Sequence, residues 1–523
     1  MSLTVLACAQ TQEITAGQPI DLQALSRAVR AKQAPDAVKP AVDKLLTEAG
    51  PLQAAGRTGE ARHRLANAWA LVNGRAWDQK EEFLWSLTLR TDKIVADSAL
   101  PVMARLTQVY PAGYETKTGL KLRVSLAAKD GKSIKDLGSF NVASRDLIDQ
   151  PAGVEMDFDG TPDGEYRIWA ELLEGGASLA RLEQGFQLVQ GIESQRGSVE
   201  KRLARIQGHD SAKASVRYPF DVARMVNSGR RKLWTNDFGL REDGTQTFDF
   251  AKEYRDSAAI LKALEANKDP LLRAKGDHER RYYFEEAGEI MPYRLYVPTK
   301  WDGKSKLKML FVLHGNTRDH DFYFDRDNGI LAKLAEQYGW LAVCPMGYRP
   351  NAGYNAGALR TIAGASAPPQ RGPGGRGGFD PGRQRETELS EKDAMNVFDL
   401  VTKEYPIDME HVYLFGHSAG GTGGWYIAAK YPEKFAGIAL SAFGTRADGY
   451  PFDRIKGKPV MVIVGTKDAP NTVATVRAMA KAIAEKGFDQ EFLEVEGATH
   501  DTIVGLAEPK VFAFFAKLPY ISH

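Results

Sequence analysis

A chain of 523 residues is longer than one hydrophobic core usually organises, so two to four domains are expected. Apolar residues make up 43% of it, charged residues 26%, and the formal net charge is +2. That balance gives no field suited to nucleic acid or a charged membrane surface as the main partner, and no stretch approaches the roughly eighteen consecutive apolar residues of a spanning helix.

Residues 1–9 read as the remnant of an export signal: a short apolar run, then Ala7, Cys8 and Ala9 in the small-residue pattern that signal peptidases cut. Export to the periplasm or medium is the expectation, with lipid anchoring at Cys8 as the alternative. The other cysteine, Cys344, falls in an apolar run and reads as a buried thiol. Residues 10–95 carry helical spacing, as in Leu22, Leu25 and Val29, then Val42, Leu45 and Leu46. From 96 to 192 the period shortens to two, with Leu120, Leu122, Val124 and Leu126 in one run and Tyr166, Ile168 and Ala170 in another, which predicts an immunoglobulin-like β-sandwich. Residues 193–278 return to a charged, helix-compatible pattern and read as a connector. None of these segments repeats, which argues against a propeller.

Strand-like and helix-like segments alternate over 279–523. The predicted order is an opening hairpin (282–285 and 293–297), strands at 308–314, 341–345, 411–415, 436–441, 460–464 and 490–495, and helices at 330–338, 389–405, 421–431 and 473–485. Such alternation predicts an α/β domain whose mostly parallel sheet is covered by helices on both faces, with ligands at the carboxyl ends of the strands.

Gly416-His417-Ser418-Ala419-Gly420 sits at a predicted strand-to-helix junction and matches a nucleophile elbow, in which a sharp turn exposes the serine hydroxyl. A serine needs a base within hydrogen-bond reach and an acid to orient that base. His500 and Asp468 each follow a predicted strand and complete the chain order Ser, Asp, His, with Asp453 and Asp501 as the competing acids. The oxyanion donors are expected at the backbone N–H groups of Ala419 and of Asn316, the latter after His314-Gly315 at a strand end.

These pieces, with Gly424-Trp425, the run Tyr431 to Gly437 and Gly465-Thr466-Lys467-Asp468, resemble the esterase branch of the α/β-hydrolases over residues 290–505. That branch includes polyhydroxybutyrate depolymerase-like and feruloyl esterase-like proteins and related predicted peptidases. The resemblance implies an α/β-hydrolase fold behind the helical segment and sandwich, no metal and no organic cofactor.

Two stretches depart from the resemblance. Residues 352–386 are rich in Gly, Pro and Arg and should emerge on the active-site face, where Arg360, Arg371, Arg376, Arg383 and Arg385 could meet an acidic substrate or polymer. The alternative is a disordered insertion. The acid-rich run 319–329 lacks the glycine that a calcium loop starting at Asp325 needs where Ile330 stands, so capping by Asp327 or Asn328 is the simpler account. Phe322, Tyr323 and Phe324 are left between pocket lining and packing, and Trp425 is expected in the core. The expected chemistry is serine-dependent hydrolysis of a small or polymeric carboxylic ester. The alternatives are a serine peptidase on the same machinery and an inactive binding protein of the same fold.

Overall fold

The computed structural model describes residue 16 and residues 22–128, 131–228, 249–362 and 381–518. The export pattern with Cys8, and Arg371 and Arg376 of the insertion, lie outside the described residues. The chain divides into two compact units, one of Met1–Ser198 with Val222–Tyr254 and one of Val199–Asp221 with Arg255–His523. The stretch 193–278 is therefore shared between the units and does not stand apart as a connector.

The first unit opens with helices Leu22–Ala31, Lys39–Ala54, Thr58–Val72 and Gln79–Ser86. Their apolar faces close a small core around Leu25, Val29, Leu65, Trp69 and Trp85. Asp78 caps the fourth helix by accepting from the Glu81 N–H at 2.9 Å. The first strand, Leu87–Thr91, lies inside the stretch expected to be helical. Its alternation, with only Leu87 and Leu89 buried, is too short to stand out from the helical spacing before it.

That strand pairs with Val102–Gln108, which pairs with Ala152–Met156, in a three-stranded antiparallel sheet. A five-stranded sheet joins Val95–Ala96, Ala177–Leu188, Gly164–Glu174, Leu120–Ala128 and Ser133–Val142 in that order. Leu89, Leu106 and Val154 of the first sheet share one buried cluster with Leu122, Ile168 and Phe186 of the second, as facing sheets require.

The second unit is organised by an eight-stranded sheet of β1 (Gly276–Phe284), β2 (Glu289–Val297), β3 (Leu307–Leu313), β4 (Leu341–Pro345), β5 (Ile407–His417), β6 (Gly437–Ser441), β7 (Val460–Gly465) and β8 (Gln490–Val495). The spatial order is β8-β7-β6-β5-β3-β4-β2-β1. Strand β2 runs antiparallel to β1 and β4, and the other pairs are parallel. Helices α1 (Ile330–Tyr338), α2 (Pro381–Glu404), α3 (Ala419–Lys430), α4 (Pro470–Glu485) and α5 (Ile503–Ala516) accompany it.

Leu310, Val312, Tyr413 and Ile463 share a buried cluster with α1 and α5, and the Tyr413 and Phe515 rings stack 4.2 Å apart. Phe311, at an alternate position of β3, meets Phe398 of α2 with ring centroids 5.6 Å apart. Both faces of the sheet are thus covered, as the run of apolar residues in β7 requires. Cys344 on β4 is fully buried and free, and burial pushes its thiol well above the ordinary range. Helix α2 begins eight residues before the expected Leu389, because Pro381 suits a first turn and the polar residues after it favour helix without showing apolar periodicity.

Candidate active site

Strand β5 ends at His417 and α3 begins at Ala419, leaving Ser418 alone between them with φ 58° and ψ −117°. A non-glycine residue in that region costs about 1–3 kcal/mol and persists only where its surroundings enforce it. The enforcement is visible. The Ser418 N–H donates to the Ser441 carbonyl at 2.9 Å. A Cβ at Gly416 would lie 2.4 Å from the Gly420 oxygen, and one at Gly420 would lie 2.0 Å from the Leu313 oxygen. Only glycine lets the elbow close against the end of β3.

The loops after β7 and β8 bring the other two candidates to the same place. A Cβ at Gly465 would lie 2.2 Å from the Ala498 oxygen, and the Lys467 N–H donates to that oxygen at 2.9 Å. His500 Nδ1 lies 2.7 Å from Asp468 Oδ2, and its Nε2 lies 2.9 Å from Ser418 Oγ. With the proton assigned to Nδ1, the ring donates to the carboxylate and accepts from the serine hydroxyl. Asp468 also accepts from the Ala469 N–H at 2.6 Å. Its side chain is 2% exposed and that of His500 40%, so the acid is sealed behind the base while the base meets the cleft. Asp501 points away, 75% exposed and 3.8 Å from Arg318. Asp453 lies in the separate turn Phe452–Ile455.

Ala419 is the first residue of α3, where N–H groups have no partner within the helix. Gly315 abuts the serine, since a Cβ there would be 3.2 Å from Ser418 Cβ. The loop is held by the buried His314, whose ring nitrogens lie 2.9 Å from the Gly315 oxygen and 2.7 Å from the Met346 oxygen. Asn316, Ala419, Ser418 and His500 line one open cleft of about 560 Å³.

Asn351, Thr387, Thr422, Phe443, Thr472 and Arg383 line the same cleft. Except for Arg383, sequence reasoning missed them: Thr387, Thr422 and Thr472 stand on α2, α3 and α4, Asn351 and Phe443 in loops, and single residues of this kind carry no periodic or motif signal. Strain offers a signal only in three dimensions: Thr317, Tyr354, Asn355 and Ala442 have positive φ, like Ser418. Tyr354 packs so close to α3 that a Cβ at Gly423 would lie 2.7 Å from its own. Glu391 of α2 ties this corner together, accepting from Asn355 Nδ2 at 2.7 Å, the Tyr426 hydroxyl at 2.8 Å, the Tyr431 hydroxyl at 2.6 Å, and the Lys430 ammonium.

The insertion divides by residue. Arg383 faces the cleft, Arg385 donates to the Glu286 carbonyl at 2.9 Å, and Arg360 is exposed on a short helical turn. In the acid-rich loop Phe322, Tyr323 and Phe324 are buried and pack the loop down; none of them lines the cleft. The expected cap on α1 is not made by Asp327 or Asn328. Both have positive φ, and Gly329 at φ 70° occupies the cap position without a side-chain bond. The left-handed turn there suits glycine, and Asp327 instead pairs with Arg326 at 2.8 Å.

Next to this loop Glu279, His320 and Asp321 place one ligand atom each within 4.8 Å of one another. Two cations already serve the group: Arg281 pairs with Glu279, and Arg294 lies 3.1 Å from Asp321 and 2.7 Å from Asp325. Burial opposes charge on His320, but Asp321 and Glu279 outweigh it and hold the imidazole above its ordinary range. This is a neutralised ion cluster, with its charges matched by protein. Trp425 is fully buried, edge-on to Phe443 at 5.4 Å and to Tyr450 at 5.0 Å.

His417 ends β5 directly before the serine. It is buried, its ring centroid lies 4.7 Å from that of His500, and its Nδ1 lies 3.3 Å from Ser441 Oγ. Burial first, and then the neighbouring His500, push it well below the ordinary imidazole range, so it faces the catalytic candidate as a neutral ring.

No known family profile matches the sequence, and no curated protein matches it. Similar solved structures cover about half of it. The BES protein from Bacillus cereus is 15% identical over 46% of this chain and 96% of its own, with a TM-score of 0.37. An S-formylglutathione hydrolase from Agrobacterium tumefaciens is 18% identical over 47% of this chain and 97% of its own, with a TM-score of 0.35. A feruloyl esterase module from Clostridium thermocellum, complexed with sinapinate, is 16% identical over 48% of this chain and 91% of its own, also at 0.35.

Proposed function

We propose that the protein is a serine-dependent hydrolase of carboxylic esters. The observation that carries the reading is the continuous line from Ser418 Oγ through His500 to Asp468, with contacts of 2.9 and 2.7 Å, at a strained elbow opening onto a cleft. In the first half-reaction Ser418 Oγ attacks the ester carbonyl while Nε2 of His500 takes its proton. Asp468 holds the ring and stabilises the imidazolium. The tetrahedral oxyanion is met by the N–H groups of Ala419 and Asn316, and the alkoxide leaves with the proton from His500, giving an acyl-serine. A water, deprotonated by the same nitrogen, then releases the acid and restores the hydroxyl.

The test is a panel of short nitrophenyl esters, methyl hydroxycinnamates, polyester film and peptidyl amides, run beside Ser418→Ala and a fluorophosphonate probe. Ester turnover should fall about a million-fold in kcat in the variant, with probe labelling lost. Near-normal ester cleavage by Ser418→Ala would end the reading, and cleavage of amides without esters would turn it into a peptidase.

A further inference from the structure

The acid-rich stretch 319–329 lies outside the esterase resemblance, and the hydrolytic reading gives it no part. It meets the loop that carries His500. The Arg326 guanidinium donates from Nη2 to the Asp501 carbonyl, one residue beyond His500, at 3.1 Å. That guanidinium is itself fixed. Its Nε donates to Asp327 Oδ2 at 2.8 Å, its Cζ stands 4.8 Å from the centre of the buried Phe322 ring, and its side chain is 17% exposed. A guanidinium held by a carboxylate and a ring face has already lost most of its rotamer freedom, so the bond to the loop orders little more.

The backbone is bent to bring this about. Asp327, Asn328 and Gly329 have φ of 48°, 56° and 70° in succession. Left-handed backbone at the two that carry side chains persists only where the surroundings enforce it. Those surroundings include α5, the helix that follows the His500 loop: a Cβ at Gly505, in its first turn, would lie 2.3 Å from Asp327 Oδ2. Within the loop, the Thr499 N–H donates to Thr502 Oγ1 at 2.8 Å and the Thr502 N–H to Thr499 Oγ1 at 3.3 Å. These bonds shape the turn without placing it. Arg326 ties it to the 319–329 stretch, and Arg318 adds only a 3.8 Å pair to the Asp501 carboxylate, which is 75% exposed and screened by solvent.

We propose that Arg326 is a positioning residue for the general base: by gripping the Asp501 carbonyl it holds the His500 imidazole in line between Asp468 and Ser418. The inference rests on the ester hydrolase reading and deepens it. Pairing with Asp327 offsets the charge of the guanidinium, so the grip adds little repulsion to the imidazolium that forms on His500 in each half-reaction.

The leaving group supplies the test. An ethoxide must take the proton of His500 as it departs and a nitrophenolate need not, so a misplaced imidazole harms ethyl butyrate more than 4-nitrophenyl butyrate. A loss of folded protein harms both alike. Wild-type protein, Arg326→Gln, Arg326→Lys and Arg318→Gln are compared at equal folded fraction, fixed by urea denaturation. Arg326→Gln should lower kcat/KM roughly 100-fold for the ethyl ester, chiefly through kcat, and roughly 10-fold for the nitrophenyl ester. The rate constant for fluorophosphonate labelling of Ser418 should fall with the nitrophenyl rate. Arg326→Lys should lie between Arg326→Gln and wild type, and Arg318→Gln within about twofold of wild type. Equal losses of Arg326→Gln on the two esters, a wild-type labelling rate constant in that variant, or the same losses in Arg318→Gln would overturn this inference alone. Wild-type protein that cleaves neither ester and leaves Ser418 unlabelled would overturn the hydrolase reading and this inference with it.

Discussion

Strand Leu120–Ala128 of the five-stranded sheet and the central strand β7 obey different rules in one polypeptide. In the first, Leu120, Leu122, Val124 and Leu126 are buried while Lys121 and Arg123 face solvent. In the second, every residue from Val460 to Gly465 is buried. One sheet is covered on a single face, and the other is covered by helices on both. The difference bears on where chemistry can sit. A doubly covered sheet leaves no face for a polar site, so polar groups gather where the strands end. Ser418, Asp468 and His500 follow β5, β7 and β8.

The sharpest way to test that placement is Asp468→Asn. It keeps the shape of the loop after β7 but offers His500 an amide in place of a carboxylate, which favours the wrong tautomer. Ester turnover should fall by about 10⁴-fold in kcat, with the circular dichroism spectrum unchanged. A loss of less than tenfold would mean that the strand-end position of the acid is coincidental.

An alanine scan read by urea denaturation probes the comparison itself. Leu122→Ala and Leu126→Ala should each cost about 2–5 kcal/mol, with Lys121→Ala and Arg123→Ala within about 0.5 kcal/mol of zero. Met461→Ala, Val462→Ala and Ile463→Ala should all be costly, with no alternation. A silent position within that run would show that one face of the eight-stranded sheet is not load-carrying.

Buried acids in the two units have opposite signs. Asp97 of the first unit is opposed by burial but accepts from the N–H groups of Gly191 at 2.9 Å and Ala99 at 3.2 Å and from Ser194, and these bonds hold its carboxyl below the ordinary range. Asp393 on α2 is fully buried, and burial pushes it up to about 6 although it accepts from the Tyr282 hydroxyl at 2.6 Å and the Tyr348 N–H at 2.8 Å. A raised acid binds its proton more tightly when folded. Its contribution is therefore present below about 4 and lost as pH rises through 6, by about 3 kcal/mol at most. The lowered acid behaves in reverse, its contribution being lost as pH falls through the folded value. Urea titrations at pH 3, 4 and 7 should show Asp393→Asn flattening the slope between 4 and 6, and Asp97→Asn flattening the decline below 4. The same slope in both variants would remove the contrast.

How much of this was legible beforehand follows from what each feature needs. The elbow was readable because a tight turn demands glycines, and Asp468 because it follows the apolar run Val460–Gly465; His500 was readable from the chain order Ser, Asp, His after the mixed run Gln490–Val495. The strands Leu120–Ala128 and Gly164–Glu174 were readable from alternation. The early strand Leu87–Thr91 was hidden by its brevity, and the first turns of α2 by their polarity. The rest of the cleft wall was unreadable: Asn351 of a loop, Thr387 of α2 and Thr472 of α4 come together only through the packing of separate elements, and the role of Tyr354 depends on a contact with Gly423 that no local pattern encodes.

The smallest expected effect concerns Glu508, on the helix that covers one face of the eight-stranded sheet. It is 1% exposed, among the described residues neither carboxyl oxygen has a hydrogen-bond partner, and burial pushes it well above the ordinary carboxyl range. Its neighbours along α5, Val504, Ala507, Val511 and Phe512, all belong to the apolar cluster. A raised folded value means that the acid weakens the native state increasingly as pH rises above about 4.5, where the unfolded chain ionises freely. Glu508→Leu exchanges an unsatisfied buried acid for an apolar group of similar length, and should stabilise the protein by about 1–3 kcal/mol at pH 7. Glu508→Gln keeps the polarity without the charge and should recover only the pH-dependent part, so its gain should vanish at pH 4 while that of Glu508→Leu persists. If both variants are destabilised at pH 7, the carboxyl is held by an interaction that rewards its charge, and this helix layer tolerates polarity as the first unit does at Asp97.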